Sequence, residues 1–204
     1  MTTSDVQLML DVKAGDEGSF DLLLRRYRTP LVNFLFRMVR DSATAEDLAQ
    51  EVFLRVYRAR KQYSPTAKFT TWLFRIATNL ALNSIRDNRH RRMETSIDAP
   101  KEDEDGAPLE LPSREMRIDE HMIERDRADF IRRAVDSLPE KQRAAVLLHK
   151  YEEMDYGEIA KILECSESAL KSLLFRAYET LRVQLAPLVA QPARPGAGEG
   201  RMMS

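Results

Sequence analysis

The chain has 204 residues, 43% of them apolar and 32% charged, which suffices for one ordinary domain or two small ones with packed cores. Cys165 is the single cysteine, so an internal disulfide and a CxxC metal clamp are excluded, and a formal net charge of −1 leaves nucleic-acid binding to the placement of charge rather than its sum. The amino terminus lacks a basic segment followed by an apolar one, and no apolar run approaches the roughly 20 residues of a membrane span, so a cytoplasmic chain with no membrane insertion is expected.

Strand-like alternation is absent, and the prolines fall between apolar-periodic runs or at their starts, so the chain reads as all-helical. Ser4-Asp5-Val6-Gln7 has the form of a capping box and opens a short helix through Leu8, Leu10 and Val12, stopped near Gly15. A second stripe carries Phe20, Leu23, Leu24 and Tyr27, and resumes after Pro30 with Leu31, Phe34, Leu35 and Met38. The third helix is expected over roughly Ala43 to Ala59, with Leu48, Val52, Phe53 and Val56 on one face. The fourth begins near Thr70 or Thr71 and carries Trp72, Leu73, Ile76, Ala77 and Leu80.

That fourth helix has a second property. Between Lys68 and Arg92 stand Lys68, Arg75, Arg86, Arg89, Arg91 and Arg92, against Asp87 as the only acid. Phe69, Trp72 and Phe74 lie beside these bases, with Asn79 and Asn83 between them. Arginines hold phosphates without reading sequence, asparagine can pair with a base edge, and an unstacked base can lie on an aromatic ring. The same pattern also fits aromatic residues in a core and a basic, solvated helix end.

From Met93 to Pro112 the composition changes, with seven acids against the single base Lys101 and three prolines. Such a stretch buries too little apolar surface to offset its ordering entropy. As a coil it would span roughly 25 Å, and fully extended at most about 70 Å. It reads as a flexible acidic linker between two small helical domains.

Beyond it, a helix is expected from about Arg114 to Leu138 and another from Pro139 through Ala144, Val146, Leu147 and Leu148. Asp155-Tyr156-Gly157-Glu158 forms a capping box that opens a short helix with Ile159, Ala160 and Leu163 inward. Glu164-Cys165-Ser166 makes a turn, and Ser166 can cap a longer helix whose Leu170, Leu174, Ala177 and Leu181 form one stripe. Lys171, Ser172, Phe175 and Arg176 lie mostly off that stripe. This is the layout of a DNA-reading helix-turn-helix, and equally of a plain αα-hairpin in a bundle. After Pro187 the tail is rich in proline and glycine and is expected to be disordered.

Taken together these segments resemble a known family. Ala45-Glu46-Asp47-Leu48-Ala49-Gln50-Glu51-Val52-Phe53 and Phe69-Thr70-Thr71-Trp72-Leu73-Phe74-Arg75-Ile76-Ala77-Thr78-Asn79 resemble the second conserved region of extracytoplasmic-function (ECF) sigma factors of the sigma-seventy family. Leu138-Pro139-Glu140-Lys141-Gln142-Arg143, Tyr156 to Leu163 and Leu170-Lys171-Ser172 resemble the fourth. The resemblance implies an all-α chain with region 2 over 1–92, a linker over 93–113, region 4 over 114–187 and a tail over 188–204.

It also implies roles. Asp47, Gln50 and Glu51 would dock on the clamp coiled coil of bacterial core RNA polymerase. Lys68, Phe69, Trp72, Arg75, Asn79 and Asn83 would melt the −10 promoter element and capture an extruded base, with Arg86, Arg89, Arg91 and Arg92 on the backbone. Ser166, Ser168, Lys171, Ser172, Phe175 and Arg176 would read the −35 element as duplex. An anti-sigma factor is an expected partner, and no cofactor is. Three departures stand out. Glu164 occupies a turn position where the family often has glycine, Leu173 and Tyr178 stand where arginine is common, and Asn83 replaces a frequent aspartate.

Catalysis finds no support. His90, His121 and His149 lack metal-ligand spacing, and no Gly-rich phosphate loop or nucleophile elbow is present. A calcium loop around Glu102 to Gly106 fails, because Lys101 and Pro112 would fall at carboxylate positions. Cys165 is expected to be a small core residue of the turn. Two other readings stay open: a helix-turn-helix regulator acting without polymerase, and a sigma-like decoy for an anti-sigma protein.

Overall fold

The computed structural model describes residues 3–95 and 118–190, and among these it contains eight α-helices, one 3-10 turn and no strand. The first unit begins with α1 (Asp5–Ala14), whose Leu8, Met9 and Val12 are buried. The Ser4 hydroxyl accepts from the Gln7 amide, but the Gln7 side chain donates to Asp11 instead of returning to Ser4. The expected box is therefore half formed. Gly15 ends the helix at φ +106°, a backbone region open to glycine at no steric cost.

Helix α2 (Glu17–Val39) runs unbroken through Pro30, which corrects the expectation that prolines lie outside the helices. Proline removes one backbone hydrogen bond and crowds the preceding turn, at about 3 kcal/mol. Leu31, Phe34, Leu35 and Met38, all essentially fully buried just after it, each contribute roughly 1.5–3 kcal/mol of burial, so continuing the helix wins. Helix α3 (Ser42–Arg58), capped by Asp41, buries Ala45, Ala49, Val52, Phe53 and Val56 against α2. A 3-10 turn (Arg60–Gln62) leads to α4 (Phe69–Thr95), which packs on α2 and α3. Helix α4 continues three residues into the segment assigned to the linker.

The second unit comprises α5 (Ile118–Asp136), α6 (Glu140–Lys150), α7 (Tyr156–Ile162) and α8 (Glu167–Ala190). Helix α8 is the organiser, touching α5, α6 and α7 through a stripe of Leu170, Leu174, Ala177 and Leu181. Helix α6 is buried nearly all round, from Ala144 to Leu148, as befits the central element of a small bundle. Pro187 lies inside α8, which extends one turn past the expected end. The rest of the linker and tail, with the start expected for α5 at Arg114, lies outside the described residues.

The two units are not apart. Helix α4 packs against α7 and α6, and α2 against α6.

Candidate nucleic-acid interfaces

Helix α4 sorts its side chains by face. Leu73, Phe74, Ala77, Leu80 and Ala81 are buried, while Arg75, Asn79, Asn83, Arg86, Arg89 and Arg91 are exposed. Arg75, Asn79, Asn83, Arg86 and Arg89 thus share the outer side of one helix, with Arg91 exposed on another side near its end; Arg92 follows in the same helix. Phe69 is a correction. It is 1% exposed, stacked at an angle on Tyr27 and edge-on to Trp72, so neither ring face is open to a base. As the first residue of α4, it anchors the helix start to the core. Trp72 is half-buried beside Tyr63 and lines an open cavity with Gln62, Ser64, Thr71 and Arg75.

The α7–turn–α8 unit forms the expected helix-turn-helix. Asp155 accepts from the Glu158 amide at 2.8 Å and Glu158 accepts from the Asp155 amide at 3.2 Å, so the capping box is complete. The backbone hydrogen bond from Glu158 also holds the Asp155 carboxyl below its ordinary pKa. Glu164 sits at φ +54°, in the left-handed region anticipated for it. The Ser166 hydroxyl caps α8 by accepting from the Ala169 amide at 3.1 Å. Ser168, Lys171, Ser172, Phe175 and Arg176 are exposed, Phe175 to 68%, so a polar, basic and aromatic face is presented at the start of α8. Within the helix, Ser172 donates to the Ser168 carbonyl and Arg176 to that of Ser172.

Two positions that depart from the family pattern face inward. Leu173 and Tyr178 are half-buried against the core, and the Tyr178 hydroxyl lies 2.8 Å from His149 Nδ1. Burial, then the neighbouring Lys150 charge, lowers the His149 pKa, which keeps a neutral ring for this contact. Cys165 is half-buried and packs on the same core.

On α3, Asp47 and Gln50 are exposed and Glu51 is half-exposed. Arg55 donates to Glu51 at 2.7 Å, and that hydrogen bond lowers the Glu51 pKa. Gln50 also lines an open, mostly apolar groove between α2 and α3, walled by Phe20, Leu24, Val32, Phe53, Leu54 and Tyr57. The sequence reading found the polar residues of this face but not the groove, because Phe20 and Leu24 read as core positions by spacing alone. The available signal was Leu54, an apolar residue on the side of α3 away from Val52, which is exposed in the structure.

The contact between the units was also missed. Lys68 Nζ lies 3.1 Å from Glu158 Oε1, Thr71 donates to the same oxygen at 3.3 Å, and Arg75 donates to Glu164 Oε1 through Nε at 3.1 Å and Nη2 at 2.6 Å. At the other end, Arg40 pairs with Asp136, and the Arg37 guanidinium lies 4.1 Å from the centre of the Tyr151 ring. Beside it, burial raises the Glu152 pKa to about 7, with Arg37 pulling only partly the other way. Among the described residues, no group of three His, Cys, Asp or Glu side chains is placed to hold a metal, and no helix is long and apolar enough to cross a membrane.

Comparison with known proteins converges with this geometry. The sigma-70 region 2 family model matches residues 23–91 and the sigma-70 region 4 model matches residues 131–181. The RNA polymerase sigma-H factor of Pseudomonas aeruginosa is 31% identical over 188 residues, covering 92% of this chain and 96% of that protein. The ECF RNA polymerase sigma-E factor of Escherichia coli K12 is likewise 31% identical, over 91% of this chain and 96% of its own. Among solved structures, the sigma factor RpoE in complex with the anti-sigma factor NepR from Bartonella quintana aligns over 82% of this chain and 96% of its own with a TM-score of 0.62; at 22% identity this speaks to the fold. Two family regions in order, on two helical units that each present an exposed face of the expected chemistry, place the chain in the ECF group of the sigma-70 family of RNA polymerase sigma factors.

Proposed function

We propose that this sigma factor acts in the cytoplasm as a non-enzymatic initiation factor, joining bacterial core RNA polymerase through α3 and reading promoters with α4 and α8. The observation that carries the reading is the presence of two exposed basic faces on separate helical units of one chain. Asn79 and Asn83 on α4 have the donors and acceptors to pair with an unstacked base, and Arg75, Arg86, Arg89, Arg91 and Arg92 supply cations for a strand's phosphates. The half-buried Trp72 lines the cavity at the start of that helix, and Lys68 immediately precedes the helix. Phe69 supports the helix from within.

On α8, Lys171, Ser172, Phe175 and Arg176, with Ser166 and Ser168 at the helix start, have the position and chemistry of a recognition helix in a duplex major groove. Asp47, Gln50 and Glu51, beside the apolar groove between α2 and α3, offer a polar rim around an apolar centre, the composition of a protein-docking surface. A relative of the same fold is bound by an anti-sigma factor, and a partner of that kind is expected for this chain as well.

The test is transcription. Purified protein is added to sigma-free bacterial core polymerase with fragmented genomic DNA, and the transcript starts are sequenced. Starts that depend on the protein and lie downstream of a shared two-part motif are expected. Core binding without starts would favour a decoy for an anti-sigma protein, and binding to neither core nor promoter DNA would sink the proposal.

A further inference from the structure

Two cations, Lys68 and Arg75, lead into or lie along the first half of α4, and both are already paired with carboxylates from the other unit. Glu158, whose side chain is only 12% exposed, is held by Lys68 at 3.1 Å, Thr71 at 3.3 Å and its own N-cap amide at 3.2 Å. Glu164 receives Arg75 through two nitrogens on one oxygen. Lys161 joins Thr71, Trp72 and Arg75 in the wall of the cavity at this end of the helix. A DNA phosphate would draw on the same ammonium and guanidinium groups, so the two carboxylates compete with it for their charge and for part of their donors.

Glu164 adds an independent observation. Its left-handed backbone costs free energy in any residue but glycine or, less so, asparagine. Glycine would remove that cost and, with it, the carboxylate that reaches Arg75. The remaining DNA-reading chemistry is untouched by this contact. Asn79, Asn83, Arg86 and Arg89 are exposed farther along α4, as are Lys171, Ser172, Phe175 and Arg176 on α8.

We propose that α7 and its turn act as an intramolecular competitor of single-stranded DNA, with Glu158 and Glu164 occupying the anion positions of Lys68 and Arg75 while the α8 face stays open. This rests on the reading of α4 as the strand-binding helix. The occupant is built into the chain, and covalent connection gives it an effective concentration on the order of millimolar, so weak exposed ion pairs suffice to hold it. Contacts of that strength yield to a partner that offers several phosphates at once. The free chain would then bind duplex through α8 readily and single strands poorly, and opening would expose the start of α4.

The experiment uses the full chain and a pool of short, fluorescent, single-stranded oligodeoxynucleotides of random sequence, at low ionic strength, where exposed ion pairs are least screened. Closure is read by energy transfer between dyes on R25C and R182C in a C165S background; Arg25 and Arg182 are 79% and 81% exposed and belong to different units. E164K is expected to lower transfer and to strengthen strand binding roughly threefold to tenfold, the range set by converting an exposed attraction into a repulsion. E164G, which relieves the backbone rather than straining it, should change both in the same direction by a smaller factor. Adding strand to the otherwise unsubstituted labelled chain should also lower transfer. Unchanged transfer and unchanged affinity in both variants would overturn the competitor. If R86A and R89A leave strand affinity untouched while E164K still lowers transfer, the units do close but α4 is not the strand site, and the proposal falls with the reading beneath it.

Discussion

Lys171 and Arg176 show how a side chain is freed for recognition by what its neighbours do. Leu170, Leu174 and Ala177 take the buried stripe of α8, which leaves positions 171, 172, 175 and 176 outward in a helix fixed by its own core. Lys171→Ala or Arg176→Ala is therefore expected to leave folding intact and to weaken binding to −35 duplex by about 1–3 kcal/mol. Titrations against the promoter motif recovered from transcript starts, and against a scrambled duplex, check this. Equal loss on both duplexes would assign the residue to phosphate contact, and no loss on either would remove it from the interface. Such outward positions were legible from spacing alone. Phe69 was not, because an aromatic residue at a helix start has the same spacing whether it stacks on a base or on Tyr27 and Trp72. Tyr178 was legible only as a missing cation; its hydrogen bond to His149, 29 positions away, has no local sequence signal.

At the scale of elements, the helix starts were written most clearly where a side chain returns to its own backbone. Asp155 and Glu158 satisfy one another's amides, and this box begins a helix of only seven residues, too short to persist by propensity. Asp155→Ala should cost about 1 kcal/mol, within a range of about 0.5–2 kcal/mol for lost N-caps. Urea unfolding followed by a probe in the second unit measures it, and an unchanged midpoint would mean that packing of Ile159, Ala160 and Ile162 alone orders α7. At Ser4 only half of the box forms, since the Gln7 side chain donates to Asp11 one turn on. Element ends were less legible than starts. Proline usually marks a boundary, yet α2 passes through Pro30 and α8 through Pro187, because burial on the far side outweighs one lost hydrogen bond in the first case. After Pro187, the described Leu188 is half-buried.

The whole molecule adds what no local pattern carries, the contact between units joined by side chains some 90 positions apart. Its pH dependence follows from two groups that work in opposite directions. Glu152, at the Arg37–Tyr151 end of the contact, has its pKa raised by burial from 4.5 to about 7. Arg37 of the first unit lies beside it, so if separation of the units returns Glu152 toward its ordinary value, closure is expected to weaken as pH rises from about 4.5 through 7. His149, inside the second unit beside Tyr156 and Tyr178, has its pKa lowered from 6.5, first by burial and then by Lys150. The stability of that unit is complete above pH 6.5 and is lost as pH falls through the lowered value. Acid therefore favours closure while loosening the unit that closes. Glu152→Gln should leave energy transfer between the units flat across pH 5 to about 7.5, where the parent falls with rising pH, and should leave the acid unfolding of the second unit unchanged. The other charges at this end, Arg37, Arg40, Asp136 and Arg143, form the surrounding field in both proteins and cancel from the comparison. If transfer in the glutamine variant keeps the parent's slope, the proton that governs closure resides on another group, and Glu152 is only a half-buried carboxyl at a contact held by its neighbours.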